Sequence, residues 1–261
     1  MADLDLALRR YDRLPSTNDT AWEEGRAAFL NHGTRFLGVL ADEQTAGRGR
    51  AGRAWSSPPG GGLYLSCYVR LEWPPEVAAM LTLAAGLAVR DAVAETTGVL
   101  LHLKWPNDLL VPDGSGRKVG GILTETRMDG ARVAEAVIGI GVNVFAPAGG
   151  WGADAAARPA ALGEFVAGEP IPAPAELAIP VLRSVRQATD RLGREGPEDL
   201  VDRARDAMPL WGRRVAASHG RREIDGVARD LAPDGGLVVR LDSGAEVVVH
   251  AGDVRVRWNE E

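Results

Sequence analysis

The 261-residue sequence holds a single cysteine, Cys67. One thiol excludes an internal disulfide framework and any multi-cysteine metal centre. Four histidines, at positions 32, 102, 219 and 250, are scattered without His-x3-His spacing, so no zinc site is expected. No run approaches the roughly eighteen apolar residues of a membrane span. Residues 1–13 mix Asp, Leu and Arg without an apolar core or a small-residue cleavage site, so no signal peptide is expected. A cytoplasmic protein without a membrane partner follows. Excess positive charge is also missing. The net charge of −6 argues against a dedicated nucleic-acid binder, so any cationic site must be local. Lysine is scarcest of all: of 30 basic residues only Lys104 and Lys118 are not arginine. Where arginine serves almost everywhere, these two are candidates for positions that need a compact ammonium in place of a planar fork.

What is present suits a globular chain with a real core: 45% hydrophobic and 25% charged residues, enough for one large domain plus a small one. Ser16, followed three residues later by Asp19, reads as a capping box opening a helix to about Asn31, with Gly33 as its stop. Residues 35–41 and "LYLSCYVRL" read as strands, and residues 75–97 as a core helix ended by Gly98. "KVGGILTETR" and "RVAEAVIGIGVNV", joined by Asp129-Gly130, predict a hairpin. Residues 146–175 read as irregular, followed by helices near 175–193 and 197–208. From Gly212 short strands between glycine-rich turns predict a small antiparallel barrel, which places a domain boundary near residue 211.

The densest chemistry lies in "DEQTAGRGRAGRAW", residues 42–55. Its glycines let main-chain N–H groups approach an anion, and Arg48, Arg50 and Arg53 add forked donors. It lacks the Gly-Lys-Ser/Thr ending of a Walker A loop. A solvated turn or an RNA-binding arm are the other readings. The stretch is short, internal and set in an acidic chain, so a small-molecule phosphate ranks above RNA. Arginine repulsion and glycine entropy predict a weakly structured loop when it is empty. In "KWPNDLL" a strand ends at Pro106 and presents Asn107 and Asp108, although in isolation a plain turn is the favoured reading of these two. Lys118 opens a strand whose Gly120 and Gly121 let a flat group lie against the backbone, and "GIGVN" repeats the device at Gly139 and Gly141 before Asn143. These elements together predict a ligand trough with an anionic end.

"STN", "DEQTAGRGRAGRAW", "KWPNDLL", "RKVGGIL" and "GIGVN", in this order and spacing, resemble the biotin protein ligase family. The likeness covers about residues 10–205, and the tail resembles the family's small SH3-like domain. The resemblance implies an α/β (α+β) fold: a mixed-sheet catalytic core akin to class II aminoacyl-tRNA synthetases over 1–211, and an SH3-like β-barrel over 212–261. It implies that ATP and biotin react to biotinyl-5′-AMP and pyrophosphate. A lysine of a biotin carboxyl carrier domain, part of a biotin-dependent carboxylase, then takes the biotinyl group. Mg²⁺ would arrive with ATP rather than in a protein cage.

By the same resemblance Ser16, Thr17, Asn18 and Gln44 bond the ureido ring, and Gly47, Gly120, Gly121, Gly139 and Gly141 shape the biotin pocket. Arg48 and Arg50 approach the carboxylate and phosphate, Arg53 the triphosphate, and Lys118 both carboxylate and α-phosphate. Trp55 and Asn143 fall on the nucleotide side, and Asp108 near the reaction centre, orienting the attacking lysine or Lys118. Few residues precede Tyr11, so the ligase-only form without operator DNA is expected. A homodimer is compatible with the resemblance. Arg158–Leu162 departs from the family's adenosine-proximal segment, so no contacts are carried over there. A lipoate–protein ligase of the same fold is the alternative enzyme, and the glycine–arginine loop favours biotin.

Overall fold

The computed structural model describes residues 6–151, 158–168, 170–219 and 222–258. Strand β1 (Ala7–Leu14) leads into helix α1 (Thr17–His32), then β2 (Phe36–Gln44) and β3 (Gly62–Trp73). Helices α2 (Pro75–Ala79) and α3 (Leu81–Thr97) follow, then β4 (His102–Lys104), β5 (Asp108–Leu110), β6 (Lys118–Asp129) and β7 (Arg132–Asn143). Helices α4 (Pro174–Glu195) and α5 (Glu198–Asp206) precede β8 (Arg214–His219), β9 (Arg222–Leu231), β10 (Leu237–Arg240), β11 (Glu246–Val249) and β12 (Val254–Val256). Seven strands form a mixed sheet in the order β1-β2-β3-β7-β6-β5-β4, in which only β1 and β2 pair in parallel. The last five form an antiparallel sheet in the order β11-β10-β9-β8-β12.

Strand alternation sorts the large sheet into two faces. Phe36 and Leu40 of β2, Leu65 and Cys67 of β3, and Ile138 and Ile140 of β7 join α3 and α4 in the main core. The residues between them, Leu37, Val39, Tyr68 and Val137, turn the other way and pack on Ala21 and Trp22 of α1. The glycine stops work as read: Gly33 and Gly98 take φ of 69° and 73°, the left-handed region where glycine avoids the Cβ clash. Asp129-Gly130 turns the β6–β7 hairpin, with Asp129 paired to Arg132.

Three expectations are corrected. Ser16 occupies the N-cap position of α1 with extended backbone but makes no side-chain cap bond, and Asp19, the other half of the box, is held by an arginine instead. Residues 75–97 form two helices that meet at Met80 rather than one. Contrary to the expected absence of any such run, Pro75–Thr97 is long and apolar enough by length and composition to cross a membrane. In this fold Leu81, Leu83, Leu87, Val89 and Val93 bury that apolar surface in the main core. The irregular stretch 146–175 lies partly outside the described residues; within it, Pro159 bridges to Lys118 beside the start of β6.

The C-terminal sheet shares the main core, to which Val215, Ala217, Leu237 and Val249 all belong. Its junction with the large sheet is specific. The Trp105 indole, 2% exposed, donates through Nε1 to the Gly235 carbonyl at 2.9 Å, and the Trp258 ring lies against Gly116. The Trp105–Pro106 peptide bond is cis.

Candidate active site

Register builds the floor of the site. Tyr64 pairs with Gly141, Gly141 with Gly121, Gly121 with Asp108 and Asp108 with Lys104, giving one transverse row across β3, β7, β6, β5 and β4. The next row runs from Ser66 to Gly139 to Leu123. Paired residues project to the same face, so the glycines bare the sheet beneath α1. A Cβ at Gly139 would come 2.4 Å from Asn18 Oδ1, and one at Gly141 would meet the Trp55 indole at 2.7 Å. Gly120 does not share this face: its added Cβ would meet the Gly141 carbonyl at 2.7 Å and Leu109 at 3.0 Å. Adjacent strand residues alternate, so Gly120 and Gly121 cannot both line the same surface.

At the N-terminus of α1, Ser16, Thr17 and Asn18 are buried to 3–4% exposure, which demands partners for their polar groups. The Thr17 backbone N–H and hydroxyl both donate to Gln44 Oε1, at 2.9 and 3.0 Å, and Gln44 Nε2 donates to Ser57 Oγ at 2.9 Å. The Ser66 hydroxyl lies 2.7 Å from Thr17 Oγ1 and 2.6 Å from Asn18 Oδ1, while Asn18 Nδ2 donates to Glu125 at 2.8 Å. Both ends of the Asn18 amide are therefore pinned.

At the other end of the floor the chain's two lysines converge on one carboxylate. Lys104 Nζ lies 2.8 Å from Asp108 Oδ2 and Lys118 Nζ 2.5 Å from Oδ1. Lys118 also stands 5.3 Å from the centroid of the Trp55 ring. Burial pushes the Asp108 carboxyl up, but the charges and hydrogen bonds of the two ammoniums outweigh it and hold the group below the usual carboxylate range. A depressed folded-state value means that this carboxylate stabilises the fold fully above about pH 4, and that the contribution is lost as pH falls through the depressed value. Urea unfolding of wild type should therefore show a steeper loss of stability below pH 4 than Asp108→Asn. Parallel acid limbs in the two proteins would contradict this assignment.

Between the two ends lies the arginine stretch, folded as a short hairpin. Gly47 O accepts from Trp55 N at 2.8 Å and Gly49 N donates to Arg53 O at 2.7 Å, closing a short hairpin with Arg48 bridged to Ala54. Ala51 and Gly52 at its tip take positive φ, 54° and 73°. Gly47 is held close: a Cβ there would sit 2.5 Å from the Trp55 carbonyl. Each arginine has its own partner, which offsets their mutual repulsion. Arg48 grips Asp19 through two bonds of 2.7 and 2.6 Å, and those bonds hold the Asp19 carboxyl below its ordinary range. Arg50 donates to Asn107 Oδ1 at 3.2 Å, and Arg53 to Asp253 Oδ1 of the C-terminal sheet at 2.9 Å. The Trp55 Nε1 donor is buried without an acceptor.

Thus Thr17, Asn18, Gln44, Gly47, Arg48, Arg50, Trp55, Asp108, Lys118, Gly121, Gly139 and Gly141 gather along one floor. Arg53 points to the C-terminal sheet, and Asn143 holds the Ala160 carbonyl at 3.1 Å beside the entry of β6. Reading the sequence missed Ser57, Ser66 and Glu125, which lie outside the quoted motifs or carry no signal of their own; the folded chain brings them to Gln44, Thr17 and Asn18. Lys104 was flagged by its rarity alone. A separate cavity of about 450 Å³ between β1 and the end of α1 is lined by Leu8, Tyr11, Ala28 and His32, and none of the clustered polar side chains faces it.

The comparisons with known proteins concern these same segments. Residues 11–143 match the Biotin/lipoate A/B protein ligase family, and residues 211–257 match the Biotin protein ligase C terminal domain. The bifunctional ligase/repressor BirA of Bacillus subtilis is 41% identical over 134 residues, which are 51% of this chain but only 39% of that protein. The match therefore spans less than two thirds of that relative. The biotin–[acetyl-CoA-carboxylase] ligase of Mycobacterium tuberculosis is 33% identical over 220 residues, 83% of this chain and 77% of that one. Among solved structures, biotin protein ligase from Aquifex aeolicus in complex with biotin and ATP superposes with a TM-score of 0.76 at 25% identity, covering 96% of this chain and 99% of that one.

Proposed function

The chain belongs to the biotin protein ligase family, and from that premise we propose that it is an ATP-dependent ligase that activates biotin as biotinyl-5′-AMP and passes it to a lysine of a biotin carboxyl carrier domain. One juxtaposition supports this reading above all. Lys118 stands beside the bare Gly121–Gly141 row, between Asp108 and the Trp55 ring, where the polar cluster under α1 meets the arginine hairpin. A flat, uncharged, hydrogen-bonding head suits the first end, and an anionic group suits the second.

In the first step a biotin carboxylate oxygen attacks the α-phosphorus of ATP, and the bond to the pyrophosphate oxygen breaks. Both partners are anionic, so catalysis consists of holding them together and offsetting their charge. In this reading Lys118 bridges carboxylate and phosphate oxygens, and Arg50, held by Asn107, adds a second cation; Arg48 joins them when it exchanges Asp19 for a ligand anion. Thr17, Asn18 and Gln44 orient the ureido ring, and the Trp55 indole contributes a donor and an aromatic face on the nucleotide side. Arg53 and Asn143 join that side only by giving up Asp253 and the Ala160 carbonyl. Among the described residues no three His, Cys, Asp or Glu side chains gather to hold a metal. Mg²⁺ would come with the ATP phosphates. In the second step the carrier amine attacks the anhydride carbonyl, AMP leaves, and the nitrogen gives up a proton as the amide forms. In this reading the ionised Asp108 orients that amine.

Purified protein with Mg-ATP and labelled biotin should yield pyrophosphate and a biotinyl adenylate that labels an added carrier domain. Lipoate should fail to compete at equal concentration. Absence of the adenylate overturns the reading, and preferential use of lipoate converts it to the lipoate alternative.

A further inference from the structure

Lys104 has no place in the scheme above, yet it shares Asp108 with Lys118, at 2.8 and 2.5 Å from the two carboxylate oxygens. Lys104 and Asp108 are both largely buried, with side chains 15% and 14% exposed. They face each other as a register pair of β4 and β5, which sets the Lys104 ammonium directly beside this carboxylate. Buried charges demand such pairing. Charge counting gives the cluster one excess positive charge: two ammoniums against one carboxylate. With Lys104 removed, Asp108 and Lys118 would cancel, and both carboxylate oxygens would be open to the Lys118 ammonium.

We propose that Lys104 is a positioning residue for the adenylation step: it occupies Asp108 Oδ2 so that Lys118 meets only Oδ1 and keeps its remaining protons and a net positive field for the substrate anions. This rests on the functional reading above. It also explains why lysine stands at position 104 in a chain that, Lys118 apart, uses arginine. A guanidinium fork binds a carboxylate through both oxygens and would compete with Lys118 for Asp108, whereas an ammonium takes one oxygen as a point charge.

The test is a double-mutant cycle on adenylate formation, measured as single-turnover pyrophosphate release with Mg-ATP and biotin. Lys104→Met should slow the step by about 10²-fold, as expected when a catalytic group is misplaced by roughly an ångström. Lys104→Arg should recover only part of the rate, because it restores the charge but not the one-oxygen geometry. In an Asp108→Asn background Lys104→Met should change the rate by less than about twofold, since residues that act through one another are not additive. A wild-type rate in Lys104→Met, full rescue by Lys104→Arg, or an undiminished penalty in the Asp108→Asn background would each overturn the proposal. Should Lys104→Met fold poorly, Lys104→Gln carries the same comparison. A crystal structure of the variant gives a readout independent of activity, in which Asp108 is expected to turn both oxygens toward Lys118, and an unmoved carboxylate overturns the proposal. Wild-type protein that makes no adenylate overturns the functional reading, and the structural comparison still decides whether Lys104 holds Asp108.

Discussion

Replacing Lys118 with alanine is expected to lower the rate of adenylate formation by about 10²–10³-fold or more, the loss typical of removing one preorganised donor from a developing anionic centre. The expectation rests on position: Lys118 is the cation nearest both Asp108, at 2.5 Å, and the Trp55 ring, at 5.3 Å, above a floor without side chains. Arginine at the same position would not restore the rate, because a planar fork takes both oxygens of a carboxylate where an ammonium takes one as a point charge. The fold should survive. Asp108 retains Lys104, so the cost stays below the roughly 3–5 kcal/mol of stranding a buried charge outright. Single-turnover pyrophosphate release beside a thermal melt checks both parts. A Lys118→Ala rate within tenfold of wild type would remove the residue from the reaction centre.

The largest stability effect is expected at Trp105. Its side chain is almost wholly buried, and its indole N–H ties the "KWPND" segment to the Gly235 carbonyl 130 residues away. Trp105→Ala should destabilise the protein by about 3–5 kcal/mol through lost burial and the cavity left behind. Trp105→Phe keeps most of the apolar contact but leaves the Gly235 carbonyl without its donor, at a cost of about 1–3 kcal/mol. Urea unfolding of the three proteins measures both values. The same substitution loosens the strand end that carries Asn107 and Asp108, so adenylation should fall in Trp105→Ala even where the protein remains folded. A variant with wild-type stability would show that the two sheets are not joined through this residue.

Legibility differed between residues for physical reasons. Gly33 and Gly98 were readable as helix stops because the left-handed backbone is a local demand that one residue type answers. The Asp129-Gly130 turn was readable on the same ground. The capping box at Ser16 did not form although its spacing was right, and Asp19 instead meets Arg48, 29 residues away in sequence, a charged partner stronger than a helix N–H. The partners of the arginine hairpin were not readable, because only its own repulsion is visible in the sequence; Asp19, Asn107 and Asp253 offset that repulsion from three other elements.

The sequence by itself determined which residue types could carry the chemistry: a glycine-hinged run of arginines, two isolated lysines, strands bare of side chains, and motifs ordered as in the biotin protein ligase family. Only the tertiary structure decided that both lysines meet on Asp108, that Gly121 faces the floor while Gly120 turns away, and that Ser66 and Glu125 complete the polar cluster. The division follows from the period of a strand. Alternation tells which residues share a face, but a one-residue change of register would send each to the opposite side, and register is set by pairing between segments distant in sequence.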